Sequence, residues 1–136
     1  MLRDIFSPRF LRAVLWFDAS TGYGLGALHL AAPALLSHGL GLPAALLQVS
    51  GVMLLGFALL ATALARADRI PRGWLAVLVW GNACWALASL GLLLGTALEP
   101  PFWGQAYLLM HGVSVAALAA VQWGGLRRLP AAPAMA

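Results

Sequence analysis

The sequence predicts an all-α, membrane-embedded bundle of four helices running up and down, with the N- and C-termini both cytoplasmic. Three observations carry this expectation. The 136 residues are 62% hydrophobic and only 9% charged, whereas a soluble domain carries about 25% charged residues. The chain holds two long apolar stretches, each about double the ~20 residues of one membrane helix. All eight basic residues are Arg, confined to three short segments: Arg3, Arg9 and Arg12; Arg66, Arg69 and Arg72; Arg127 and Arg128. With a mean hydropathy of +0.90, the chain would expose large sticky patches in water.

A span needs about 20 predominantly apolar residues, because each rises ~1.5 Å and the hydrocarbon is ~30 Å thick. The first candidate runs 13–36. Its apolar run continues far past Asp18, longer than the ~7–15-residue core of a cleavable signal, so it is expected to stay in the protein. Pro33 is expected to kink its last turn. The link SHGLGLP (37–43) is punctuated by Gly and Pro, both turn formers. The second span runs 44–65 and is followed by the link RADRIPRG (66–73). The third runs 74–94. Glu99, Pro100, Pro101, Phe102 and Trp103 then lead to the fourth, 104–126. Short links make successive helices antiparallel. The whole is expected to be a single domain, residues 1–136, with 129–136 a disordered tail.

Orientation follows from charge. Cytoplasmic loops are enriched in Lys and Arg. Four spans put every Arg on one face and leave Glu99 and His38 on the other, whereas an odd number would split the Arg residues. The expected location is therefore a bacterial cytoplasmic (inner) membrane, multi-pass. Trp16, Trp74 and Trp123 fall near the inner boundary and Trp103 near the outer one, where indole rings favour the headgroup level. Trp80 and Trp85 are expected to pack between helices. The net charge of +4 does not point to nucleic acid, because Arg residues flanking apolar segments orient helices. The partners expected are anionic lipid headgroups, at roughly 1 kcal/mol per Arg near the surface, together with self-association or another membrane protein. Cys84, the single cysteine, allows neither an intrachain disulfide nor a thiolate metal site, and reads as a small packing residue.

Polar groups in hydrocarbon are costly and turn toward the bundle interior. On the first segment Asp18, Gly22, Leu25 and His29 lie at i, i+4, i+7 and i+11, one helical stripe. On the second, Gln48, Leu55, Leu59 and Thr62 approximate a stripe. On the third, Asn82, Trp85 and Ser89 line up. On the fourth, His111, Ser114, Leu118 and Gln122 repeat the spacing of the first. By the rise per residue, Asp18 lies ~8 Å and Asn82 ~12 Å from the cytoplasmic boundary. The expectation is an inner carboxylate–amide layer of Asp18, Asn82, Gln122 and Thr62, and an outer layer of His29, Gln48, His111 and Ser114. Asp18 is either a proton- or cation-coupling site or a hydrogen-bond hub paired with Asn82, Gln122 or an Arg such as Arg12 or Arg128. His29 and His111 can be read as axial haem or metal ligands, or as interior histidines bonded to Gln48 and Ser114. No His-x-x-His or Cys-x-x-Cys-His spacing accompanies them. Gly22 and Gly26 match the small-xxx-small motif of close helix packing, and Gly51, Gly56 and Ala58 are expected to act similarly.

Trp16-Phe17-Asp18-Ala19 parallels Trp80-Gly81-Asn82-Ala83, and Leu64-Ala65-Arg66 parallels Gly125-Leu126-Arg127. These would be halves of a parallel repeat of hairpins, not the inverted repeat of many transporters. The chain has no Gly-rich phosphate loop, no paired catalytic carboxylates and no Ser–His–Asp set. The expected role is a non-enzymatic structural or accessory membrane component with no cofactor and no metal. The alternatives are a proton-coupled transporter working as an oligomer through Asp18, and a haem- or metal-binding protein using His29 and His111.

The combination of Leu11-Arg12, Asp18, Leu42-Pro43, Asn82 with Trp85, and Gln122 before Leu126-Arg127-Arg128 resembles a group of small four-helix bacterial membrane proteins without an established activity. The resemblance covers nearly the whole chain. It implies topology and membrane location and no catalytic residues. Small multidrug resistance exporters are similar in length and also carry an acid in helix one. This chain departs from them in using Asp, in placing it nearer the inner boundary, and in its one-sided Arg distribution, so their function is not carried over.

Overall fold

Ser7 opens the first helix. Its side-chain oxygen accepts the Phe10 backbone N–H at 3.2 Å, and Pro8 takes the first helical position, where its missing N–H costs nothing. The computed structural model describes residues 7–95 and 98–130; Arg3 and the tail from 131 onward lie outside the described residues. The described residues form helices and no strand: α1 (Pro8–Ala31), α2 (Pro33–Leu40), α3 (Ala44–Arg66), α4 (Arg72–Leu94) and α5 (Phe102–Arg128).

The first sequence segment departs from expectation at its far end. Pro33 does more than kink a last turn. Ala32 leaves the helical region at φ −136°, ψ 48°, and Pro33 starts a separate helix. Proline has no N–H to continue the ladder and disfavours the α conformation in the residue before it. Most of the expected link 37–43 is consequently helical. α2 ends only at Gly41, whose φ of 65° suits the left-handed cap that glycine adopts without strain. Leu129, the first residue of the expected tail, packs against the core at the Arg-bearing end, and its carbonyl accepts from Arg72 at 2.7 Å.

α1 packs chiefly on α3, and α4 chiefly on α5. α1–α5 and α3–α4 contacts close the set, and α1 and α4 lie diagonally opposite. The α1–α3 approach is close because small residues meet. A Cβ added at Gly26 would come within 2.9 Å of Leu55 and 3.0 Å of the Gly51 carbonyl, and one added at Gly51 within 2.9 Å of Leu30. The Gly22–Gly26 motif is thus spent inside the chain. Gly56, expected to do the same, faces open space.

One core cluster joins Leu11, Leu15, Leu64, Leu75, Leu78 and Leu126 at the Arg-bearing end. There Arg12 donates to the Ala65 and Asp68 carbonyls at 3.3 and 2.9 Å, satisfying the C-terminus of α3. A smaller cluster of Leu42, Leu47 and Leu108 lies at the far end.

Large apolar side chains crowd the outer surface. Phe17, Val52, Leu59, Leu87 and Met110 are all more than 60% exposed. Helices that are apolar all round belong in a core or a membrane. α3, α4 and α5 are each long and apolar enough to cross a membrane; α1, with Asp18 and His29 in its length, is less apolar. Two expected packing residues turn outward. Trp80 is 60% exposed and meets Trp123 edge-on at 5.9 Å on the outer surface. Cys84 is exposed and fills no gap between helices.

Candidate functional site

Two polar layers lie within the helices, separated by eleven residues on α1 (Asp18 to His29, 29 − 18) and eleven on α5 (His111 to Gln122, 122 − 111). That spacing is about 16 Å along a helix axis.

The layer nearer the Arg-bearing end is a closed set of three side chains. Asn82 Nδ2 donates to Asp18 Oδ2 at 3.0 Å and to Gln122 Oε1 at 3.0 Å. Gln122 Nε2 donates to the same Asp18 Oδ2 at 2.6 Å. The three residues come from α1, α4 and α5, and the Asp18–Asn82 bond spans the diagonal. Gln122 is fully buried and Asn82 nearly so. Asp18, Asn82 and Gln122 are thus brought together as the spacing predicts. The fourth expected member is not. Thr62 donates to its own Ala58 carbonyl at 2.8 Å and meets Tyr23 Oη at 3.2 Å, tying α1 to α3 elsewhere. Arg12, one of the partners considered for Asp18, is turned to the α3 carbonyls instead. A cavity of about 40 Å³ adjoins the set, lined by Asp18, Gly22, Leu54, Asn82 and Trp85 among others. It has room for water, which needs roughly 10–15 Å³.

The far-end layer is more extended, and its hydrogen-bond directions can be worked out. Ser50 Oγ donates to the Leu47 carbonyl at 2.8 Å, so its one proton is spent. It must therefore accept from His29 Nδ1 at 2.7 Å. In neutral His29, Nε2 is then an acceptor and takes the Tyr107 hydroxyl proton at 2.7 Å. The chain runs Tyr107 to His29 to Ser50 to the α3 backbone. In a second chain, Ser89 donates to the Trp85 carbonyl at 3.0 Å, and Trp85 Nε1–H donates to His111 Nε2 at 2.6 Å. Tyr107 stacks on His111 at 5.7 Å with 13° between planes. Around these groups lies a cavity of about 110 Å³, walled otherwise by Leu42, Leu46, Leu47, Ala88, Leu92 and Leu108.

His29 and His111 are both buried and both line this cavity, but their expected companions do not. Gln48 and Ser114 are exposed on the outward faces of α3 and α5. The buried residues of α3 include Leu47, Ser50, Gly51, Ala58 and Ala61; of the expected stripe, Gln48 and Leu59 face outward, while Leu55 packs at Gly26 and Thr62 meets Tyr23. Ser50 and Tyr107 were the residues missed. Ser50 adjoins the small residues of the α3 interface, and Tyr107 stands one turn before His111 on α5. Both ring nitrogens of His29 are already bonded, so the two imidazoles are not presented as a free axial pair. Among the described residues, no three His, Cys, Asp or Glu side chains converge on a point that could hold a metal ion.

Asp18 and Asn82, which occupy matching places in the two similar segments 16–19 and 80–83, bond to each other across the diagonal. Among the described residues, no fully enclosed side-chain nitrogen or oxygen lacks a partner. Comparison of the chain with protein-family models, curated proteins and solved structures finds no match.

Proposed function

We propose that the protein is a non-enzymatic structural or accessory component of a bacterial inner membrane, crossing it four times as a single helical bundle with both termini cytoplasmic. The observation that carries this is the closed Asp18–Asn82–Gln122 set. A carboxylate at that depth costs about 2.5–3.5 kcal/mol if it faces lipid. Here it is turned inward and accepts two amide bonds from two other helices, the arrangement of a cross-helix tie.

α1 is the fourth span. Asp18 and His29 face inward, while Trp16, Phe17, Leu28 and Leu30 face out. Its outward hydroxyl, Ser20, is bonded back to the Trp16 carbonyl at 2.8 Å, which hides it from lipid. The Arg residues then lie together on the cytoplasmic side, where anionic headgroups are their partners. The apolar outer surface leaves room for self-association or a second membrane protein.

Two measurements test the role. Affinity purification in mild detergent should retrieve a stoichiometric membrane partner or a homo-oligomer, and a clean lone monomer counts against an accessory role. Asp18→Asn should preserve folding and any phenotype, because an amide oxygen still accepts both bonds. A second reading, proton-coupled transport by an oligomer, is favoured by one observation. Both amides bond Asp18 Oδ2, and the carboxyl adjoins a cavity with room for water. Under that reading Asp18→Asn abolishes proton-linked flux while the protein still folds.

A further inference from the structure

We propose that the far-end cavity binds the carbonyl edge of a membrane-soluble quinone ring, with His111 as the donor. The inference goes beyond the accessory role and rests on the same placement of α3 and α4 in the bilayer.

Trp85 Nε1–H can only donate, so His111 Nε2 is an acceptor. The proton of the neutral ring is then on Nδ1. Every other side-chain donor lining the cavity is spent: Tyr107 on His29, His29 on Ser50, Ser50 on Leu47, Ser89 on Trp85, and Trp85 on His111. His111 Nδ1–H has no hydrogen bond among the described residues. His111 is only 8% exposed, yet this atom is not sealed in, since no fully enclosed side-chain nitrogen there lacks a partner. A buried polar group normally finds a partner, and His111 is one of the residues lining this mainly apolar cavity.

The cavity selects the acceptor. At about 110 Å³ it is somewhat smaller than the ~150 Å³ apolar cavity known to admit benzene, which suits one edge of a ring entering while the rest stays at the mouth. Trp85, Tyr107 and His111 give it flat aromatic walls, which favour a planar guest. A single donor on a neutral imidazole favours a neutral acceptor, because an anionic head would lose its hydration for one bond.

Access is from the side. At the Arg-bearing end, Ala61, Leu64 and Ala65 of α3 share a core with Leu75, Leu78 and Val79 of α4. At the far end Leu47 of α3 and Leu92 of α4 share the smaller cluster, Leu46 and Ser50 of α3 and Ala88 and Leu92 of α4 line the cavity, and Ala88 is exposed. A guest entering there comes from the apolar surface, which is where a quinone resides.

Titration of the full-length protein in detergent micelles with a short-chain ubiquinone analogue, followed by quenching of Trp fluorescence, should be saturable. His111→Leu should weaken the apparent affinity about tenfold, the worth of one hydrogen bond. Ala88→Phe narrows the mouth from an exposed position and should weaken it at least as much; it decides the matter should His111→Leu fail to fold. Decylbenzene, which keeps a ring and tail without carbonyls, should compete roughly tenfold less well. Non-saturable quenching, unchanged titrations in folded variants, or equal competition by decylbenzene overturns the proposal. The titration needs no oriented membrane, so its failure leaves the four-span threading standing, and a wrong threading leaves the titration result standing.

Discussion

The two polar layers are built from similar materials to opposite ends. The layer at the Arg-bearing end is closed: three side chains satisfy one another around a single carboxylate oxygen, beside a cavity of about 40 Å³. The far layer is open: two hydrogen-bond chains run along the walls of a cavity of about 110 Å³ and leave one imidazole donor unspent. A closed set fixes how helices meet. An open one offers a place for something else. The difference follows the packing, since the larger apolar core surrounds the first layer and a smaller cluster the second.

The strongest way to break this comparison is to remove the acceptor at the centre of the closed layer. Asp18→Leu strands two buried amide donors and should lower stability by about 2–6 kcal/mol, one unsatisfied-group penalty for each; Asp18→Asn should cost less than about 1 kcal/mol, because one oxygen still accepts both. Thermal unfolding in detergent, read by circular dichroism, separates the two. Equal losses would show that charge, not acceptance, holds the layer. Next in size is the α1–α3 contact that supports both layers. Gly51→Val overpacks against Leu30 and the Gly26 carbonyl and should cost about 1–3 kcal/mol. Gly56→Val, on the same helix with nothing near it, should stay within about 0.5 kcal/mol.

A smaller effect is expected in the open layer. His29→Leu frees the Tyr107 hydroxyl beside a cavity that can admit water, so the same unfolding assay should show a loss of about 1 kcal/mol. A loss as large as that of Asp18→Leu would erase the distinction between the layers. Smallest of all, Gln48→Leu and Ser114→Leu act on exposed positions and should change unfolding by no more than about 0.5 kcal/mol.

Much of the closed layer was legible in the sequence because Asp18, Asn82 and Gln122 are strongly polar residues in long apolar runs, where turning inward avoids the cost of facing lipid, and all three do so. The open layer was half legible. His29 and His111 announce themselves in the same way, but α3 has almost no polarity contrast around its circumference. A lipid-facing Leu59 and a core Leu47 look alike in sequence. Gln48, the most polar residue in the apolar run of α3, faces outward, and the buried face is marked by residue size instead, in Ser50, Gly51, Ala58 and Ala61. The helix break at Pro33 was underestimated because a proline near a segment's end can kink a helix or restart one, and which occurs depends on whether the following residues find something to pack on. Here Leu36 and Leu40 of α2 pack against the far-end cluster.

The account depends most on α1 being a span, with Asp18 inside the bilayer and the Arg residues together on the cytoplasmic face. Reporter enzymes fused after Ala136 and inserted at Gly39 in α2 test it most directly. The account predicts opposite compartments, with the carboxyl-terminal fusion cytoplasmic and the Gly39 insertion on the far side. Both reporters on one side would contradict it.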